Sequence, residues 1–170
     1  MLILGIDPAI RNTGYGIIEV IGAARFKIVD CGIIRNTPKM AHTECLRRLA
    51  GGIRELLESY PVECASIEDP FVGKNASTAI ILGMARGAIL AELAKQEIPV
   101  YAYAPRHAKR LAVGTGNATK EQVALMMAAE LKIAVSNIPL DATDALALAV
   151  CHGQIASRPE LMSLSNVKPL

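Results

Sequence analysis

The stretch LILGIDPAIRNTGYG, residues 2–16, runs an apolar strand straight into a carboxylate. Leu2, Ile3, Leu4 and Ile6 have the composition of a buried strand. Its last residue is Asp7, followed at once by Pro8, so a charge stands at the tip of an element that burial penalises for carrying one. An Asp-Pro pair readily starts a turn, which accounts for the proline but not for a charge on an otherwise apolar strand. Residues 14–21 (GYGIIEVI) and 26–35 (FKIVDCGIIR) continue with β-branched residues and short glycine-containing breaks, which predicts an antiparallel meander.

Beyond the meander the period changes. Leu46, Leu49, Ile53, Leu56, Leu57 and Tyr60 recur at helical spacing across residues 43–60, with Arg47, Arg48 and Arg54 elsewhere on the surface. Residues 63–68 (ECASIE) predict a second buried strand, again ended by an acid, Glu68. Asn75 begins a helix to about Lys95 that is apolar nearly all round, with Gly83 and Gly87 one turn apart. It reads either as a central core helix or as a helix that meets another subunit. Residues 99–103 (PVYAY) predict a strand, and Pro105 suits the first turn of a short basic helix ending near Gly114. Thr119 and Gln122 form a capping box that opens a helix to about Lys132. A last helix starts near Leu140 and runs through DATDALALAVCHG, with His152 expected on its surface. The order βββ-α-β-α-β-α-α-α describes one α/β domain with a mixed sheet, residues 1–155, and a flexible tail, residues 156–170.

Composition narrows the function classes. The chain of 170 residues is 52% hydrophobic with no Trp, an aliphatic globule long enough to bury a core without staples. Its four cysteines (Cys31, Cys45, Cys64, Cys151) are scattered without a C-x-x-C pair, which reads as reduced thiols in a cytosolic protein rather than a disulfide or zinc framework. The longest stretch free of Asp, Glu, Lys and Arg spans thirteen residues, 145–157, against the ~20 that a membrane span needs. The N-terminus lacks a signal peptide's basic-then-apolar order, so the expectation is a soluble, cytoplasmic protein. The net charge of +2 says little; its distribution says more, since residues 104–120 hold Arg106, Lys109, Arg110 and Lys120 without an acid.

Four acids sit beside buried-looking sequence. Asp7 and Glu68 end strands, and Asp141 and Asp144 stand three apart at the start of the last helix, on one side of it. Taken singly, Asp141 reads as a helix cap and Asp144 as a first-turn acid favoured by the dipole. Taken together, four converging carboxylates repel one another unless cations neutralise them, and oxygen ligands suit hard divalent ions such as Mg²⁺ or Mn²⁺.

The ordered set GIDPAIRNTGYG, ASIED, ARG (85–87), VGTGNATKEQV (113–123) and DATDALA resembles the RuvC-type Holliday junction resolvases of the RNase H-like superfamily, over roughly residues 2–152. The resemblance implies a three-layer RNase H-like fold, a mixed five-stranded sheet flanked by helices. It implies that Asp7, Glu68, Asp141 and Asp144 are the catalytic, metal-binding acids, and that two Mg²⁺ ions per site, replaceable by Mn²⁺, drive phosphodiester hydrolysis. It further implies that Lys109 and Lys120, helped by Arg106 and Arg110, hold DNA backbone, and that Phe71 stacks near the junction centre. The implied assembly is a homodimer nicking a four-way DNA junction symmetrically, leaving 5′-phosphate and 3′-hydroxyl ends, in company with the RuvA–RuvB branch-migration complex. Two departures stand out: Ala9-Ile10 replaces the family's usual Gly-Ser, and Asp69-Pro70 replaces Gln and a hydrophobe. They keep open a junction-binding protein with impaired catalysis, or an RNase H-like nuclease for another branched substrate. A sugar-kinase or actin-like ATPase shares the GID hairpin but needs two such domains.

Overall fold

The computed structural model describes residues 1–69, 75–158, 160 and 167–170. Strands β1 (Leu2–Asp7), β2 (Asn12–Gly22) and β3 (Arg25–Arg35) form the meander. Then follow α1 (His42–Ser59), β4 (Cys64–Glu68), α2 (Ala76–Lys95), β5 (Val100–Tyr103), α3 (Pro105–Val113) and α4 (Lys120–Leu131). Two one-turn 3-10 helices, Val135–Asn137 and Leu140–Ala142, lead into α5 (Thr143–Ala156). The sheet order is β3-β2-β1-β4-β5, antiparallel from β3 to β1 and parallel from β1 to β5, the mixed sheet that the sequence predicts.

Strand alternation sorts the residues into two cores. Leu4, Ile6, Ile17 and Ile67 pack with Leu49, Ile53, Ala85 and Ile89 of α1 and α2. Ile3, Ile18 and Cys64 pack on the other face with Val123 and Met127 of α4 and Leu146 and Val150 of α5. Odd-numbered positions of β1 and even-numbered positions of β4 therefore face α5, and these include Asp7 and Glu68.

The central helix is α5, in which Thr143, Ala145–Gly153 and Ile155 are all buried. It presses onto β1 because residue 5 is glycine: a Cβ there would run into the Ala145 carbonyl. The central-core reading of α2 is overturned. Only Ala85, Ile89, Glu92 and Leu93 are buried on it, while Ile80 and Met84 are exposed. By length and composition alone α2 would cross a bilayer, but its charges are engaged inside the fold. Glu92 accepts from Arg54 of α1 and, at 2.7 Å, from Lys95. Arg86 Nε donates to the Glu68 carbonyl at 3.4 Å. At the chain end, the Leu170 N–H donates to the Val100 carbonyl at 2.9 Å, and Val167 packs against the cluster of Tyr103, Ala108 and Leu148.

Candidate active site

Asp7 and Glu68 end adjacent parallel strands, one step past the paired Ile6 and Ile67. Their Cα atoms are thus about 5 Å apart, and both side chains point to the α5 face. Asp7 is also paired with Gly14 of β2, and a Cβ on Gly14 would strike the Asp141 carbonyl. This glycine lets the 3-10 turn Leu140–Ala142 lie directly against the strand beside Asp7. Asp141 is in that turn rather than in the helix, and Asp144 is the second residue of α5. Thr143 Oγ1 donates to the Leu140 carbonyl at 2.7 Å and fixes the angle between turn and helix. All four acids stand at one end of the sheet.

Two lysines complete the cluster. Lys109 Nζ from α3 is 3.5 Å from Asp144 Oδ1. Lys120 Nζ, at the first residue of α4, is 3.7 Å from both Asp141 Oδ1 and Asp144 Oδ2. The capping box predicted at Thr119 and Gln122 is present and places Lys120 at this point. The Asp144 side chain is only 13% exposed, and its buried Oδ1 accepts no hydrogen bond. Burial, then repulsion from Asp144, pushes the Asp7 carboxyl up to about 6, against attraction from Lys120 and Lys109. Burial, then Asp7 and Asp144, pushes Glu68 up to about 7, against the same two lysines. The six groups form one electrostatic cluster, in which burial and neighbouring negative charge disfavour the ionised forms of Asp7 and Glu68.

The donors are all carboxylate oxygens, the set a hard divalent cation takes, and the underbonded Asp144 oxygen and the raised Asp7 and Glu68 are what such a cation relieves. The set therefore fits a divalent metal in chemistry. As they stand, no three acid, His or Cys side chains among the described residues close on one ion; Lys120 bridges two of the acids instead.

The other expected site residues divide. Arg106 and Arg110 are exposed on α3 and pair with none of the four acids. Phe71 lies outside the described residues. Ala9 does not take a left-handed φ, so glycine is not required there; its carbonyl accepts from Thr13 Oγ1 at 2.6 Å. Asp69 points away from the acids, 4.0 Å from Arg86 Nη2, and its N–H donates to the Tyr103 carbonyl.

Sequence reading quoted Arg86 only within the ARG motif and gave it no role; its Nε supports Glu68 from behind by donating to the Glu68 carbonyl. Sequence reading also misplaced His152. This residue is 1% exposed, shares a 2.6 Å hydrogen bond with Tyr103 Oη and stacks on Tyr101. Burial lowers the imidazole to about 4. Tyr103 pairs with Glu68 across β4 and β5, so this pair sits directly behind a site acid.

The family model for crossover junction endodeoxyribonuclease RuvC matches residues 3–152. A protein of that name from Chlorobaculum parvum is 42% identical over 151 residues, which are 89% of this chain and 80% of that one. Among solved structures, T. thermophilus RuvC in complex with Holliday junction substrate superposes with a TM-score of 0.87 at 31% identity, covering 100% of this chain and 99% of that chain. A yeast mitochondrial Holliday junction resolvase shares the fold at TM-score 0.62 and 14% identity, over 96% and 83% of the two chains.

Proposed function

Because the chain belongs to the RuvC family of crossover junction endodeoxyribonucleases, we propose that it cuts four-way DNA junctions by metal-dependent phosphodiester hydrolysis, with Asp7, Glu68, Asp141 and Asp144 as its metal-binding acids. The observation that carries the site assignment is the meeting of these four acids from β1, β4 and the start of α5 with two lysines at one sheet end. Two Mg²⁺ ions per site, replaceable by Mn²⁺, would be held by these four acids and would supply water activation and charge stabilisation for a hydrolysis that leaves 5′-phosphate and 3′-hydroxyl ends.

The chain's own residues do the rest. Strand ends hold Asp7 and Glu68 rigidly, and the packed turn and α5 hold Asp141 and Asp144 against them. Lys109 and Lys120 carry positive charge to where the substrate phosphate enters, and a phosphate competes with Asp141 and Asp144 for their ammonium groups. Arg106 and Arg110, exposed on the same basic helix, add backbone contacts without sequence information. Phe71, from the segment following β4, stacks on an unpaired base near the crossover.

A junction has two-fold symmetry, so paired nicks call for a homodimer. The exposed outer face of α2, with Ile80, Met84 and the open Gly83 and Gly87, supports that helix as the contact. RuvA–RuvB is the partner assembly the family implies, and the cytoplasm the compartment.

The test is incubation of the protein with a labelled four-way junction and a matched linear duplex, with Mg²⁺ or with EDTA, beside an Asp7→Asn variant. Symmetric nicks in the junction alone, absent with EDTA and in Asp7→Asn, are the expected result. Tight junction binding without cutting would leave a junction-binding protein, and equal treatment of both DNAs would overturn the substrate.

A further inference from the structure

We propose that Arg35 and Arg48 form a second DNA contact, gripping backbone phosphates of a junction arm on the β3 side of the active site. A groove of about 630 Å³ runs between β3 and α1, away from Lys109 and Lys120. Its far end is closed by Asp30, whose carboxylate accepts from Tyr15 Oη at 3.2 Å and Tyr60 Oη at 3.1 Å. Its near end is basic. Arg47 there is neutralised by Glu44 through bonds of 2.6 and 2.8 Å. Arg35 and Arg48 have no carboxylate in ion-pairing range among the described residues, and Arg48 Nη2 donates only to the Arg35 carbonyl, at 3.4 Å. Lys39 lies in the short connection between them, which Arg11 pins by donating to the Thr37 and Met40 carbonyls.

Register places this basic end at the same end of the sheet as the acids, with the groove on the α1 face and the acids on the α5 face. Asp7 pairs with Gly14, and Arg35 pairs with Asn12, two residues farther on. Two strand spacings and two residues put the Asp7 and Arg35 Cα atoms about 12 Å apart. At about 3.4 Å per nucleotide, the arginines meet phosphates roughly three to five nucleotides from the cut. The wall of the groove points the same way. Gly52 is required by packing, since a Cβ there would press on Ile34. Gly51 meets nothing within 4 Å, so a helix-weakening residue stands there without a packing reason and leaves the wall open. Guanidinium groups outside ion-pairing range of the two acids lining the groove, Asp30 and Glu55, suit phosphodiester oxygens, read without base specificity.

This contact rests on the junction-cutting reading, and the experiment separates the two. Junction binding is measured in EDTA over a salt series for the wild type, Arg35→Gln/Arg48→Gln and Arg35→Lys/Arg48→Lys, with cleavage of the wild type run alongside in Mg²⁺. The Gln pair should bind about tenfold or more weakly and flatten the salt slope by about 2, close to 0.9 per lost phosphate contact. The Lys pair should restore most of that slope, and the melting temperatures of all three should agree. Uncharged methylphosphonates three to five nucleotides from the cut should weaken the wild type and leave the Gln pair unaffected. Wild-type affinity and slope in the Gln pair would overturn the contact while leaving the junction reading intact. So would loss of binding to an acidic polyglutamate peptide alone, which would give the groove to a protein partner. A wild type that neither binds nor cuts junctions would instead refute the underlying function.

Discussion

Asp7 carries a cost in stability that the proposed metal site would put to use. Its carboxyl is raised to about 6 because burial and Asp144 oppose its charge more than Lys120 and Lys109 support it. Replacing it by Asn keeps the shape and removes that repulsion. Asp7→Asn should therefore melt higher than the wild type in EDTA near neutral pH, by about 1 kcal/mol or more, or about 2–4 °C per kcal/mol at this size. The same variant should lose junction cleavage by at least about 100-fold; a variant that melts lower in EDTA would mean that the charge is satisfied rather than strained. Alone, Asp7 before Pro8 reads as a turn starter; it became legible as a site candidate only beside Glu68, Asp141 and Asp144. Composition showed Lys109 and Lys120 only as part of a basic stretch, and the family resemblance singled them out as DNA-backbone contacts. Their bridging of Asp141 and Asp144 depends on how α3 and α4 fold back over α5, which no local pattern encodes. His152 was misread because two turns of helix beyond Asp144 fixes its height but not which neighbour covers it.

At the scale of elements, period and capping carried far: the meander, the two acid-ended strands and the capping box of α4 all stand where the sequence puts them. What failed was the rank of two nearly uniform helices. Both α2 and α5 are apolar nearly all round, so neither offers a stripe that says which is central. Gly5 and Gly14 decide it by letting α5 and its preceding turn approach β1 and β2, leaving α2 with Ile80 at 64% and Met84 at 37% exposure. If that face joins two subunits, Ile80→Asp with Met84→Asp should convert a dimer to a monomer in sedimentation equilibrium. Melting should change little, since neither side chain is in the core. Paired nicking of one junction should give way to single, uncoordinated nicks. A double variant that sediments as the wild type would move the interface elsewhere.

Over the whole molecule, protonation and metal binding should oppose each other. Asp7 and Glu68 sit above their ordinary values of 3.8 and 4.5, at about 6 and about 7. Between those limits the folded chain holds more protons on them than the unfolded chain does, so their contribution makes stability fall as pH rises. His152 works the other way: lowered from 6.5 to about 4, it stays neutral while an unfolded imidazole takes up a proton, so its contribution is lost as pH falls through that window. Two carboxylates outweigh one imidazole, and above the ordinary imidazole value only Glu68 still titrates. In EDTA, the melting temperature should therefore decline from about pH 5.5 to about pH 7.5. In the proposed metal site, a divalent cation would bind only the ionised acids and reverse the sign. At about 100 times its Kd it adds about 2.7 kcal/mol per independent site, and its effect grows as protons leave Asp7 and Glu68. Calorimetric melting curves with Mg²⁺ and with EDTA should diverge as pH rises and converge near pH 5. Parallel curves would detach metal binding from these acids, and with it the account of why the charge at the tip of the first strand is tolerated.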